Sequence, residues 1–111
     1  MTVTAKQGDV VLIDFTPSAG SEQGGKRPAL VVSETYFNQH DRFVVLCPIT
    51  SKAKGYGFEV PIRGTQKTTG VILSNQFKSL DYRARNMVVV DSVDAKTLAA
   101  VQHNIKQILG M

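Results

Sequence analysis

Asp9-Val-Val-Leu-Ile-Asp-Phe15 and Pro28-Ala-Leu-Val-Val-Ser33 are two apolar, valine- and isoleucine-rich runs divided by Thr16-Pro-Ser-Ala-Gly-Ser-Glu-Gln-Gly-Gly-Lys-Arg27. Their composition and flanking turn residues predict two β-strands joined by a long loop. No helical pattern separates them, so a parallel crossover does not fit. Working outward, Arg42–Thr50, Phe58–Ile62 and Gly70–Ser74 repeat the strand composition between Gly, Pro, Ser and Asn punctuation, and Met87-Val-Val-Val90 offers a further strand. The pattern fits an antiparallel sheet curled into a small barrel. The period then changes. Leu98, Val101, Ile105, Ile108 and Leu109 recur at spacings of three and four, placing them on one face of a C-terminal helix that packs on the sheet. Ser92 or Asp94 can cap that helix, Lys106 suits its C-terminal dipole, and Gly110 can end it.

With 111 residues the chain suits one domain, 1–111, with a real core and no room for a second. It is 42% hydrophobic and 20% charged, and no stretch approaches the roughly 18 apolar residues of a membrane span. The N-terminus carries neither a signal-peptide pattern nor a lipidation motif, so a cytoplasmic protein is expected. The single Cys47 lies inside an apolar run, where burial is expected. A net charge of +4 favours polyanionic partners. His40 and His103 lie in different predicted elements and form no metal-binding pattern, so no metal or cofactor is expected.

Two loops stand out. Thr16–Arg27 is twelve residues long and has three glycines, more than most hairpin connections need. The glycines predict a loop that moves. Ser51-Lys-Ala-Lys-Gly-Tyr-Gly57 gathers lysines, glycines and an aromatic ring directly after a buried strand, a composition suited to nucleic acid.

Gly8-Asp-Val-Val-Leu-Ile-Asp-Phe15, Pro17-Ser-Ala-Gly-Ser-Glu-Gln23 and Lys26-Arg-Pro-Ala-Leu-Val-Val-Ser33 resemble the N-terminal signature of MazF/PemK toxins. Pro48-Ile-Thr-Ser51, Lys54-Gly-Tyr-Gly-Phe-Glu-Val60, Gly70-Val-Ile-Leu-Ser-Asn-Gln76 and Lys78-Ser-Leu-Asp-Tyr-Arg-Ala-Arg85 follow in that family's order and spacing. The resemblance covers nearly the whole chain. It implies an SH3-like barrel with a C-terminal helix, a homodimer, and a cognate antitoxin whose acidic tail blocks RNA. It also implies sequence-specific cleavage of single-stranded RNA without a metal: the ribose 2′-OH attacks, leaving a 2′,3′-cyclic phosphate and a 5′-OH. The related CcdB toxins resemble this fold but inhibit DNA gyrase without catalysis, and they supply the rival expectation.

Such a reaction needs a base, an acid and donors for the charge on pentavalent phosphorus. Arg27 matches the family's catalytic arginine, and its planar fork can hold two phosphate oxygens. Always protonated, it suits charge stabilisation or proton donation better than base catalysis. Thr50 matches the catalytic threonine, whose hydroxyl can donate to the phosphate or orient the 2′-OH. Glu22 shares the long loop and is the third catalytic candidate, able to accept a proton or to orient Arg27 through a salt bridge, and as an ordinary carboxylate is a weak base better suited to orientation. The plain alternatives are a solvated loop cation, a strand-end threonine and a solvated carboxylate. Some relatives place an aspartate at Asn75 and an arginine near it at Leu73, and the substitutions here give weight to Arg27 and Thr50. Asn75 and Gln76 can bond base edges. Lys52, Lys54, Lys78, Arg83 and Arg85 are candidate phosphate contacts, and Tyr56 is a stacking platform. Phe58, alternating with Val60 and Ile62, is expected in the core.

Overall fold

The computed structural model describes residues 4–17 and 19–111, so Met1–Val3 and Ser18 of the long loop lie outside the described residues. The elements are β1 (Asp9–Asp14), β2 (Lys26–Val31), α1 (Thr35–His40), β3 (Phe43–Thr50), β4 (Glu59–Pro61), β5 (Val71–Leu73), a 3-10 turn (Ser74–Gln76), β6 (Lys78–Asp81), β7 (Val88–Ser92) and α2 (Ala95–Leu109). The strands form one antiparallel sheet in the order β4-β5-β3-β2-β1-β7, with β6 also paired to β3.

The hydrogen-bonded path is open, with β4 at one end and β7 at the other. Closure needs those end strands to pair. Instead, three-residue β4 pairs with β5 and packs beside α2, while β7 pairs with β1 across a register shift at Val10/Val11. The long strand β3 carries the bend. Its first half pairs with β6, from Phe43↔Asp81 to Leu46↔Lys78, and its last two residues pair with β5, Ile49↔Ile72 and Thr50↔Val71.

The central strands are continuously apolar because both faces are covered. Val11, Ile13, Ala29, Val31, Val44 and Leu46 face one buried cluster with Phe15 and Leu80. The intervening Val10, Leu30, Cys47 and Ile49 face a second cluster with Ile72 and the α2 residue Val101. Cys47 is fully buried there, and desolvation pushes its thiol up to about 12, removing it from thiolate chemistry.

Helix α2 begins at Asp94, whose side chain accepts from Thr97 N at 2.8 Å, so Asp94 rather than Ser92 caps it. It ends at Gly110 in the left-handed conformation, with Met111 N returning to Lys106 O at 2.8 Å. Leu98, Val101 and Ile105 reach the core as expected. Ile108 and Leu109 do not, and stay exposed at the end of the helix. Helix α1 has no strong sequence signal and rests on tertiary bonds: Asn38 Nδ2 donates to Ala5 O at 2.9 Å and to Ser33 O at 3.1 Å.

Asp91 organises the loop before β5. Its carboxylate accepts from Gln66 N at 3.0 Å, Lys67 N at 2.9 Å and Thr68 N at 2.9 Å, besides Ser92 N. These bonds favour the ionised form, led by those from Gln66 and Lys67, and hold the group well below the ordinary carboxylate range. A depressed native pKa stabilises the fold above the unfolded value of about 3.9 and loses that contribution as pH falls through the native value. Asp91→Asn is therefore expected to lower the unfolding free energy at pH 7 by about 1 kcal/mol, since solvent screens a partly exposed carboxylate, with the gap to wild type closing as pH drops below about 4. Paired urea melts across that range check it; a gap independent of pH would contradict the ionised role.

Candidate nucleic-acid cleft

Arg27 lies in β2 opposite Ile13, and the β2–β3 ladder runs Val31↔Leu46, Leu30↔Cys47, Ala29↔Pro48. That ladder ends at Ala29↔Pro48, and Arg27 and Thr50 each lie two residues beyond it on their own strands. Both line one cleft of about 730 Å³. The Arg27 Nε donates to Gly24 O at 3.1 Å, and its terminal nitrogens form no hydrogen bond among the described residues. That leaves the fork available to an anion. Thr50 Oγ1 accepts from Lys52 N at 3.2 Å, leaving the hydroxyl proton free to donate outward.

The β5 loop presses on this strand end. Gly70, with φ +118°, packs so closely that a Cβ there would sit 2.3 Å from Thr50 O. Thr69 before it also lines the cleft.

Lys26, Arg27, Lys52 and Lys54 give the cleft four cations against one carboxylate, Glu59. Such a surface attracts phosphates. Tyr56 is 61% exposed and Phe58 47% exposed, and both line the cleft. The core position expected for Phe58 is thus corrected. The β4 ladder starts only at Glu59, so alternation with Val60 does not extend back to Phe58.

Asn75 is exposed at the cleft wall. Gln76 is partly committed: its Oε1 accepts from Gln23 N at 3.0 Å, tying the long loop to the 3-10 turn. Glu22 does not form the expected salt bridge with Arg27. Its carboxylate instead accepts from Ala19 N at 2.8 Å, closing its own turn, and the side chain lines a neighbouring cavity of about 210 Å³ with Lys78. That cavity shares Gln23, Asn75 and Gln76 with the main cleft.

Arg83 and Arg85 are not brought to either cavity. Arg83 lies over the Tyr82 ring at 5.8 Å, and Arg85 Nη1 donates to Asp14 O at 2.9 Å and Thr16 O at 2.6 Å. Arg85 therefore fixes the root of the long loop. The loop expected to move from its glycines is tethered at three places, by Arg85, Gln76 and Arg27. His40 stacks on Tyr36 and His103 is exposed, so neither joins the cleft.

Sequence reasoning missed Gln23, Glu59 and Gly70. Only Gly70 left a local trace, a glycine at the mouth of a strand. The other two act through contacts made after the chain has folded.

The sequence from 6 to 109 matches the family described as PemK-like, MazF-like toxin of type II toxin-antitoxin system. The endoribonuclease toxin MazF of Escherichia coli (strain K12) is 38% identical over 103 residues, covering 93% of this chain and 92% of that protein. The endoribonuclease PemK of Escherichia coli is 33% identical over 108 residues, covering 94% and 81%. The crystal structure of MazF from Deinococcus radiodurans matches with a TM-score of 0.93 at 40% identity, covering 99% of this chain and 100% of that one. A MazE-MazF structure from the same organism matches with a TM-score of 0.87 at 40% identity, covering 99% of both chains. Sequence, backbone and family match agree along almost the entire length, and the chain belongs to the PemK-like, MazF-like toxins of type II toxin-antitoxin systems.

Proposed function

We propose that this chain is an endoribonuclease that cuts single-stranded RNA, chiefly messenger RNA, at a short sequence motif without a metal. The observation carrying this reading is the single cleft that Arg27 and Thr50 both line together with Lys26, Lys52 and Lys54. The RNA phosphate enters between Arg27 and Thr50. The 2′-oxygen forms a bond to phosphorus and gives up its proton, the P–O5′ bond breaks, and the departing 5′-oxygen takes up a proton. A 2′,3′-cyclic phosphate and a 5′-OH remain.

Arg27 offers its free nitrogens to the nonbridging oxygens, where charge grows most in the transition state. Thr50 donates its hydroxyl to the phosphate or steers the 2′-OH toward phosphorus. Lys52 and Lys54 hold flanking phosphates, Tyr56 and Phe58 stack unpaired bases, and Asn75 with the free Gln76 amide reads base edges. Glu22 and Lys78 act one subsite away, in the smaller cavity. Glu22 holds the turn at Ala19, while Lys78 meets the next phosphate.

The open sheet is read as an SH3-like barrel whose ladder stops short of closing. The solved MazE-MazF relatives support a cognate antitoxin, whose acidic tail suits this basic cleft. A homodimer acting in the cytoplasm completes the reading.

The test is incubation of antitoxin-free protein with a long unstructured RNA in excess EDTA, mapping cut sites and end groups. Cuts at one repeated motif, with cyclic phosphate ends, are expected. Well-folded protein that leaves the RNA intact would remove the nuclease reading and return attention to gyrase inhibition.

A further inference from the structure

Glu59 is an anomaly in an anion-binding cleft. Its carboxylate lines the same cavity as Lys52 and Lys54, where it repels the phosphates those lysines attract. Its hydrogen bonds give it another role. Oε1 accepts from Lys54 N at 3.1 Å and Gly55 N at 3.0 Å, and Oε2 also accepts from Lys54 N at 3.0 Å. Glu59 N in turn donates to Tyr56 O at 3.1 Å. Successive backbone N–H groups converging on one anion form a nest, and Gly55, with φ +79°, supplies the left-handed step that a tight reversal needs. Glu59 itself is fixed by the ladder, opposite Leu73. The loop carrying Lys54 and Tyr56 is thus tied to β4 through one side chain.

We infer that Glu59 is a positioning residue for RNA binding, holding the basic loop in the conformation that presents Lys52, Lys54 and Tyr56 to the strand. The inference rests on the proposed nuclease reading of this cleft. It predicts the opposite sign to simple electrostatics. Removing a negative charge from a polyanion site should tighten binding and steepen its salt dependence. Removing an anchor should weaken binding and flatten the salt dependence, because fewer lysines reach phosphates.

The experiment compares wild type, Glu59→Gln and Glu59→Ala. Binding is measured by fluorescence anisotropy over a range of salt, with an oligonucleotide spanning a mapped cut site and lacking the attacking 2′-OH. KM and kcat are measured on the all-ribose strand. Glu59→Ala is expected to raise Kd and KM about tenfold, with kcat within about twofold and a shallower salt slope. The isosteric Glu59→Gln keeps one oxygen able to accept an N–H and should recover part of the loss. It also serves as the test variant if the alanine form fails to fold. Unchanged or tighter binding by folded Glu59→Ala, or by Glu59→Gln where the alanine form does not fold, or a fall in kcat at constant KM, overturns the positioning role alone. A wild type that neither binds nor cuts RNA overturns the nuclease reading beneath it.

Discussion

Arg27→Ala is expected to cut the single-turnover cleavage rate by about 10²–10³-fold, the usual consequence of deleting one preorganised donor to a developing oxyanion. The fold should barely notice. Arg27 makes one side-chain hydrogen bond, to Gly24 O, and loses little packing on truncation, so stability should change by about 1 kcal/mol or less. Arg27→Lys separates charge from geometry: a lysine keeps the cation without the fork and should restore only part of the rate. Thr50→Ala should lose activity too, and Thr50→Ser, which keeps the hydroxyl, should retain most of it. Rates are compared at saturating RNA, so weakened binding does not mimic a catalytic defect. An Arg27→Ala enzyme that cleaves at the wild-type rate would remove this residue from the mechanism.

Gly70→Ala is the second substitution expected to have a large effect, acting through the backbone. The new Cβ would stand 2.3 Å from Thr50 O and 3.0 Å from Thr50 C, at a φ of +118° that side chains rarely adopt. Strain and overpacking together should cost about 2–5 kcal/mol. Relief requires β5 or the end of β3 to shift, and Thr50 moves with it. Activity should therefore fall by about a hundredfold even at temperatures where the variant stays folded, since misplacement of about 1 Å has that effect. Gly57→Ala is the control. A Cβ there meets nothing within 4 Å, and Gly57 does not have a positive φ, so its melting temperature should match wild type or rise slightly. Equal melting temperatures for both variants would show that the close approach at Gly70 is unimportant.

The strands and the C-terminal helix were legible because they rest on local chemistry. Val10 and Val11 must face opposite sides of a strand, and Leu98, Val101 and Ile105 must share one side of a helix. Arg27 and Thr50 were found through motif resemblance, and their meeting in one cleft came only with the folded chain. Pairing between distant segments decided the rest. The sheet stays open because β4 packs beside α2 instead of pairing with β7, and Phe58 lies outside because β4 is short. Arg85 and Glu22 illustrate a further limit. Charge marked them as candidates, but the fold commits one to backbone carbonyls and the other to Ala19 N.

The order in which the fold is assembled constrains when the cleft can exist. Every element lining it precedes β6, yet the face bearing Val10, Leu30 and Cys47 is covered by Val101 of α2, and β1 takes its outer partner from β7. A chain emerging from a ribosome therefore displays its cationic cleft residues well before it can bury the sheet that carries them. Until the last helix is free to dock, the half-made molecule exposes a greasy sheet face. Translation must therefore pass Val101 before that face can be covered.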